Sequence, residues 1–327
     1  MNNRRKLVIA LGAGALTTPF DSFAQLQGKI WRIGFILVRA ESGPPEEVFR
    51  QTLRELGYVE GQNIAIEWRF TAGKTDLYRQ FAMELVSLKV DCIVAVGIDA
   101  TLAAKLATNT IPIVMVAAND DPVRRGLIGS LARPDGNVTG SVLLGPELAG
   151  KRLQLLKETL PNATRMAIIW DRNSSPSASH VKEAESAARV LGVQLQSLDV
   201  GDAEGLENAF RAAGKAHAQA LLVVGVGFIN TRHARIVNIA TKARLPAIYT
   251  NSLFVVAGGL MSYAADNVEQ YRGAATYVSK ILKGAKPADL PVQQPTRFEF
   301  VVNLKTAKVL GIKIPGTVLT QATKLIE

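Results

Sequence analysis

The chain has 327 residues, 48% of them hydrophobic, and a formal net charge of +10. That length is sufficient for two domains that each bury a full hydrophobic core. The single cysteine, Cys92, excludes an intramolecular disulfide, and its apolar neighbours indicate a buried thiol. Lysine and arginine alternate with acidic residues along the predicted helices and form no run interleaved with aromatic residues, so we expect no nucleic-acid partner.

Residues 1–24 have the pattern of a secretory signal peptide. Basic residues at 4–6 precede an apolar segment at 7–16, and the small residues Ser22 and Ala24 stand before a cleavage site. The apolar segment is too short to anchor the chain in a bilayer, and no cysteine near the cleavage site offers a lipid attachment point. We therefore expect cleavage after Ala24 and a soluble protein in the periplasm. The two adjacent arginines leave twin-arginine and general secretory export both open.

From residue 31 the sequence alternates between apolar strands and amphipathic helices. The strand at 31–38 is apolar nearly throughout, which is typical of a strand covered on both faces of a parallel sheet. The strand at 63–70 alternates and is predicted nearer a sheet edge. Further strands are predicted at 91–97, 111–116 and 138–143, and helices at 46–56, 77–89, 100–107 and 127–132. This alternation with short connections predicts a doubly wound parallel sheet.

A second run with the same pattern begins at residue 165. A helix at 146–160 precedes it, and its strands are predicted at 165–170, 194–199, 220–226 and 246–249. Two long segments correspond, because each has a strand ending in Gly, a polar loop, a helix and a Pro before the next strand: VAVGIDATLAAKLATNTIPIVMV and LVVGVGFINTRHARIVNIATKARLPAIYT. The sequence therefore predicts an α/β fold of two doubly wound parallel-sheet lobes with a ligand cleft and a hinge between them.

The C-terminal part departs from this repeat. It contains a predicted strand at 260–263, a helix at 268–283, a Pro-rich segment and a strand at 298–302. Because the second lobe already has its strands, we expect this tail to return to the first lobe. The predicted division is residues 30–143 plus 267–327 for the first lobe and 144–266 for the second, with crossings near 143–147, 259–267 and 293–303. Several crossings in parallel form a hinge and not a flexible linker.

Polar loops follow the predicted strands, and ligands of open parallel sheets bind beyond the carboxyl ends of the strands. Hydroxyls and helix N-terminal amides suit a carboxylate, while Asp99 and Asp120 are candidate partners of an ammonium group. The same residue types also cap helices and form turns, and that interpretation stays open for each of them. The candidate binding residues are Arg39, Glu41, Ser42, Asp99, Thr101, Asn119 and Asp120 in the first run, and Asn173, Ser174, Ser175, Phe228, Asn251 and Asp266 in the second.

Motifs of catalysis and cofactor binding are missing from the sequence. The first strand leads into IGFILVRAESG, which lacks the glycine pattern of dinucleotide-binding folds. The sequence has no phosphate-binding loop, no nucleophile elbow and no zinc-protease motif. His180, His217 and His233 have no metal-ligand spacing. We therefore expect neither an enzyme, nor a cofactor, nor a metal site.

Several long segments resemble the substrate-binding proteins of ABC transporters, in particular the tryptophan/phenylalanine-type members with a type I periplasmic fold. They are LRELGYVEGQNIAIEWRF, GLIGSLARPDGNVTG, LAGKRLQLLKE, LPAIYTNSLFVVAGGLMSYAADN, ILKGAKPADLPVQQPTRFEFVVNLKTAKVLGI and IPGTVL. The resemblance implies capture of a small ligand by hinge closure and its delivery to an ABC permease in the inner membrane. An amino acid or an aromatic carboxylate is the expected ligand, and we expect a monomer.

The sequence departs from that family after the third strand, where Gly97-Ile98-Asp99 stands in place of the family's frequent Gly-Thr-Pro. This departure affects the expected identity of the ligand and leaves the predicted fold unchanged. A sensor subunit that presents the ligand to a membrane receptor is the alternative function. A transcriptional regulator with the same lobes needs an N-terminal DNA-binding domain, and the predicted signal peptide occupies that position.

Overall fold

The computed structural model describes residues 29–327, so the predicted signal peptide lies outside the described residues. The first part of the chain forms β1 (Trp31–Leu37), α1 (Pro44–Glu55), β2 (Ile64–Phe70), α2 (Leu77–Ser87), β3 (Cys92–Val96), α3 (Ile98–Ala107), β4 (Ile113–Ala118) and β5 (Val138–Val142). These strands form a five-stranded parallel sheet in the order β2-β1-β3-β4-β5. The strand with the alternating sequence, β2, lies at an edge, as predicted.

The second part repeats this arrangement. It comprises α4 (Ala149–Thr159), β6 (Arg165–Asp171), α5 (Ser177–Val190), β7 (Gln194–Val200), α6 (Ala203–Lys215), β8 (Ala220–Val223), α7 (Gly227–Thr231), α8 (His233–Lys242), β9 (Ala247–Tyr249), α9 (Leu253–Val256) and β10 (Met261–Ala265). The tail contains α10 (Asn267–Leu282), a 3-10 turn (Pro287–Asp289), β11 (Phe298–Asn303), α11 (Leu304–Leu310), α12 (Gly316–Leu319) and β12 (Lys324–Ile326). The second sheet has seven strands in the order β12-β11-β10-β9-β8-β6-β7. The predicted fold class is thus confirmed.

The tail is shared between the two sheets, which corrects the predicted return of all of residues 267–327 to the first lobe. Only α10 and the following turn pack on the first sheet, where Tyr271 and Val278 join the core around Phe35. β11 instead pairs antiparallel with β10, and β12 pairs with β11. Strand β10 has β9 on one side only, so its other edge offers unpaired backbone groups that β11 satisfies.

We define lobe I as residues 31–142 and 267–293, and lobe II as residues 149–265 and 298–326. The chain passes between them at residues 143–148, at Asp266 and at residues 294–297. The last passage is anchored on lobe I, since the Gln293 N–H donates to the Gly140 carbonyl at 2.8 Å and the Val142 N–H donates to the Gln293 carbonyl at 3.0 Å. Three passages side by side restrict the lobes to a hinge motion.

Apolar residues cover both faces of each sheet. In β1, Phe35 packs under α1 and α10, while its neighbour Ile36 faces α2 and α3. In β11, Phe300 faces the side of α4 and α5, while Val301 joins the opposite side with α6 and α8. Cys92 is fully buried, and burial raises the pKa of its thiol well above the ordinary value.

One predicted element is missing: residues 127–132, expected to be a helix, form turns. The Leu127 N–H donates to the Pro122 carbonyl and the Gly129 N–H to the Pro134 carbonyl, so the backbone bonds of this segment are satisfied by turns. No helix within residues 29–327 combines the length and the hydropathy needed to cross a membrane.

Gly140 in β5 is the residue at which the first sheet tolerates no side chain. Its φ is +131°, and a Cβ there would lie 1.9 Å from the Met115 carbonyl oxygen on the adjacent strand. We expect Gly140→Ala to lower the free energy of unfolding by about 2 kcal/mol or more, because the clash is with backbone atoms of β4, which can move only if the pairing of the two strands is disturbed. Urea denaturation followed by circular dichroism measures this.

The matched control is Gly57→Ala, at a glycine with φ +89° and open space around its Cβ position. It carries only the conformational penalty of a left-handed residue, about 1 kcal/mol. Equal losses in the two variants would contradict the role assigned to the contact with Met115.

Candidate ligand-binding site

A cavity of about 180 Å³ lies between the lobes, at the carboxyl ends of the strands of both sheets. Lobe I contributes the loops after β1, β3 and β4, together with Tyr78 of α2 and Tyr271 of α10. Lobe II contributes the loops after β6, β8 and β9 and residues of α4 and α5. Gly145 of the first passage, and Ala265 and Asn267 on either side of the second, supply the remaining wall. A ligand in this cavity is therefore in contact with both lobes.

Two serine residues of lobe II connect the lobes across the cleft. The Ser175 hydroxyl donates to Asp99 of lobe I and accepts from Arg125 Nη2 at 2.6 Å. The Ser179 hydroxyl donates to Asp120 Oδ1 at 3.2 Å. It also accepts from Arg124 Nη2 at 2.7 Å, and that arginine is ion-paired with Asp120. These contacts, which we call the serine bridges, connect the two lobes across the cleft.

Arg39 and Glu46 form a charged pair on the lobe I wall. Arg39 Nη1 lies 3.4 Å from Glu46 Oε2, and the Glu46 side chain is completely buried. The Tyr271 hydroxyl donates to Glu46 Oε1 at 3.0 Å, and the Gly43 N–H donates to Oε2 at 2.7 Å. Burial and the nearby Glu46 carboxylate raise the pKa of Tyr271 well above its ordinary value, so its phenol is neutral. The charge of Arg39 is thus balanced within the protein.

Arg152 of α4 is the second arginine of the cavity wall, and its residue surface is only 2% exposed. Its Nε donates to the Tyr263 carbonyl and its Nη1 to the Gly145 carbonyl, both at 2.8 Å. Burial lowers its pKa to about 9. His180 of α5 lines the cavity as well, and burial, together with the charge of Arg152, lowers its pKa to about 3. This histidine is therefore neutral at pH 7.

The sequence of this two-lobed chain matches a family model described as ABC transporter substrate binding protein over residues 46–326. The chain belongs to this family. The resemblance inferred from the sequence is therefore confirmed, and with it the prediction of a protein that binds a solute and catalyses no reaction. The matched residues include lobe II, the three passages, and lobe I from residue 46 onward.

Similar proteins and solved structures agree with the assignment. A tyrosine-binding protein of Clostridioides difficile is 27% identical over 267 residues, which are 81% of this chain and 76% of the relative. A Streptococcus pneumoniae structure in complex with L-Trp has a TM-score of 0.81 at 25% identity, covering 90% of this chain and 99% of that one. The structure of a conserved domain protein from Vibrio cholerae has a TM-score of 0.82 at 26% identity, covering 91% of this chain and 100% of that one.

Five of the predicted binding residues line the cavity: Arg39, Asp99, Asn119, Ser174 and Asn251. Asp99 lies in the first turn of α3, and burial raises the pKa of its carboxyl above the ordinary value although Ser175 and Arg125 counteract this. Asn251 also orders its own loop, because its side chain donates to the Gly225 carbonyl and accepts from the Leu253 N–H. Loop ordering and cavity lining are therefore combined in one residue.

Four further predicted residues have polar contacts outside the cavity. Asp120 and Ser175 belong to the serine bridges and hold the lobes together. Thr101 is buried within α3, where its hydroxyl donates to the Gly97 carbonyl at 2.8 Å. Asp266 caps α10 by accepting from the Val268 N–H at 2.8 Å. For Thr101 and Asp266 the capping and turn interpretation describes the contacts that the structure contains.

The remaining four predicted residues also lie off the cavity wall. Glu41 is exposed, and the Ser42 hydroxyl accepts from Arg50 Nη2 at 3.4 Å. The Asn173 side chain donates to the Gly201 carbonyl within lobe II. Phe228 packs against the lobe II core beneath the Arg232 guanidinium, so it is not available to stack on a ligand.

Sequence reasoning missed the helix residues of the wall, above all Tyr78, Arg152, His180 and Tyr271. The predicted site residues follow the strands in loops, whereas these residues lie within helices. Arg152 left a signal in the sequence, because it occupies the apolar stripe of α4 with Ala149, Leu156 and Thr159, all of them buried. A charged residue at such a position indicates a buried and therefore partnered charge.

Removal of one serine bridge should weaken ligand binding without weakening the fold. In Ser175→Ala the contacts with Asp99 and Arg125 are lost only in the closed form, so closure becomes less favourable. We expect a roughly 3- to 10-fold loss of affinity, the effect of one or two net hydrogen bonds. Calorimetric titration with L-tyrosine and L-tryptophan measures it. Ser42→Ala is the control, and an equal loss in both variants would argue against the bridge.

Proposed function

We propose that this protein is the periplasmic solute-binding component of an ABC importer. It captures an amino acid or an aromatic carboxylate by closure of its two lobes and delivers the ligand to a permease in the inner membrane. The observation that carries this proposal is the cavity between the lobes, with walls from both of them and with the serine bridges connecting the lobes beside it. The family match and the two relatives whose names include tyrosine and L-Trp support it.

Closure follows from the distribution of contacts. A ligand that touches both walls gains its full contact energy only when the lobes are together, so its binding shifts the population toward the closed form. The serine bridges contribute in the same direction, but they lie near the surface, where Arg124 is 54% exposed and water competes for its charge. Such bridges are too weak to close the cleft alone, which leaves the ligand in control of closure.

The chemistry of the wall favours an amphiphilic ligand with charged ends. Apolar surface comes from residues such as Leu37, Val226 and Leu253, which accommodate a hydrocarbon or aromatic group. Asn119 and Ser174 supply hydrogen-bonding groups. Asp99 supplies an acceptor for an ammonium group, at the position where the family frequently has proline. An amino acid satisfies all of these features together.

A thermal-shift screen of the mature protein tests the ligand class. At a concentration one hundred times its Kd, a ligand should add about 2.7 kcal/mol to the stability of the protein. We expect aromatic amino acids or aromatic carboxylates to give such shifts and monosaccharides to give none. Shifts produced by sugars alone, or by no compound in the panel, would contradict the proposal.

The ammonium partner is tested with Asp99→Asn. We expect this variant to lose roughly tenfold in affinity for L-phenylalanine, because a charge-assisted hydrogen bond becomes a neutral one. Phenylpropionate, which lacks the ammonium group, should bind the variant and the wild type alike. Equal losses for both compounds, measured by calorimetry, would assign Asp99 to closure only.

The same pairing predicts a pH dependence. Binding of an ammonium group requires ionised Asp99, and burial raises the pKa of this carboxyl above its ordinary value of about 3.9. Affinity for L-phenylalanine should therefore decline as the pH falls, and the decline should begin at a higher pH than for an exposed aspartate. In Asp99→Asn this part of the pH profile should be absent.

Delivery to the permease is a separate step with its own test. Uptake of the radiolabelled ligand should be lost in cells that lack this protein and restored when it is supplied. Unchanged uptake together with a lost transcriptional response to the ligand would favour the alternative role as a sensor subunit.

A further inference from the structure

The two arginines of the cavity wall differ in how their charges are balanced. Arg39 is paired with the buried carboxylate of Glu46, which in turn is fixed by Tyr271 and the Gly43 N–H. Arg152 has no such partner: within residues 29–327 no carboxylate oxygen comes within 4.0 Å of its guanidinium. The cavity therefore carries one buried cation without a direct ion pair among the described residues, although the carboxylate of Glu147 stabilises its charge from a greater distance.

The hydrogen bonds of Arg152 leave part of its guanidinium available. Nε and Nη1 donate to the carbonyls of Tyr263 and Gly145, whereas Nη2 has no hydrogen-bond acceptor among the described residues. The two backbone bonds fix the plane of the guanidinium while the side chain lines the cavity. A fixed guanidinium with free N–H groups is suited to a carboxylate, which it binds through parallel charge-assisted bonds.

The surroundings of Arg152 favour an anion as well. An isolated buried charge carries a large desolvation penalty, and the penalty falls when an opposite charge is placed beside it. The lowered pKa of Arg152 reports that penalty in the protein without ligand. The adjacent His180 is neutral, and neither of its ring nitrogens has a partner in the described structure. These nitrogens offer no competing charge.

We propose that Arg152 binds the carboxylate of the ligand, so that the anionic end of the ligand points to the hinge. Gly145 and Tyr263, whose carbonyls hold Arg152, adjoin the first two passages between the lobes. Asp99, the proposed partner of the ammonium group, belongs to a serine bridge, because it accepts a hydrogen bond from Ser175. A zwitterionic ligand would then lie with its carboxylate at the hinge and its ammonium group toward the serine bridges. This inference rests on the proposed function and specifies an obligatory anionic group.

The test compares each aromatic amino acid with its carboxamide, which keeps the shape and loses the negative charge. The probes are L-tyrosine, L-tryptophan and L-phenylalanine and their amides, titrated calorimetrically into the mature protein. We expect wild type to bind the acids at least tenfold more tightly than the amides. In Arg152→Gln the affinity for the acids should fall 10- to 100-fold, and the ratio of acid affinity to amide affinity should approach one.

The control is Lys151→Gln, the neighbouring residue of α4, which removes one positive charge from an exposed position bonded to Gln321. It should preserve both the affinities and the ratio. Arg152→Lys should keep a part of the preference for acids, because it restores the charge without the planar fork. If Arg152→Gln fails to fold, Arg152→Lys still tests the inference, because it keeps the positive charge at this position.

Three outcomes would overturn the inference. A wild-type protein that binds amides as tightly as acids has no carboxylate site. An Arg152→Gln variant that weakens acids and amides equally shows that Arg152 only positions the hinge. In both cases the aromatic amino acids still bind, and the proposed function stands. A panel in which no carboxylate stabilises the wild-type protein overturns the inference and the proposed function together.

Discussion

The guanidinium of Arg152 is the interaction on which the geometry of the hinge depends. It belongs to α4 of lobe II and donates at once to the carbonyl of Gly145 in the first passage and to that of Tyr263 just before the second. Side-chain bonds to a buried charged donor are stronger than neutral ones. One residue thus joins two passages of the chain directly beneath the cavity, and the floor of the cavity has a fixed shape while its mouth is held only by the serine bridges.

This arrangement separates two energetic roles. The floor is buried and internally bonded, so it is present whether the lobes are apart or together. The serine bridges connect groups that belong to different lobes, and they are partly open to water. In the proposed function, a ligand that touches both regions is bound first at the floor and then enclosed as the lobes close. Because the serine bridges are weak, their formation depends on whether a ligand is bound.

Much of the fold was predictable because the two runs of the sequence follow a simple alternation and carry the segments of a known family. The tail was not predictable in this way, since a short strand such as Phe298–Asn303 gives no indication of which sheet edge it will join. In the site, the cavity residues Asp99, Asn119 and Asn251 could be predicted from the sequence, because each follows a strand and the carboxyl ends of parallel strands lie together. Arg152 and His180 were missed because helix residues reach the cavity only through the packing of α4 and α5; the position of Arg152 on the buried stripe of α4 indicates burial but not which cavity the side chain lines.

The first passage between the lobes shows why the hinge is where it is. Leu144 has a left-handed φ of +52°, a conformation that costs a branched residue about 1–2 kcal/mol. Next to it, a Cβ at Gly145 would lie 3.0 Å from the His180 ring, so this passage tolerates little added bulk. The Leu143 N–H donates to the Ala118 carbonyl at 2.7 Å on one side, and the Leu148 N–H to the Leu144 carbonyl at 3.2 Å on the other. Backbone strain of this kind persists only where the surrounding contacts hold it, and here the hydrogen bonds and packing on both sides fix the path of the chain between the lobes.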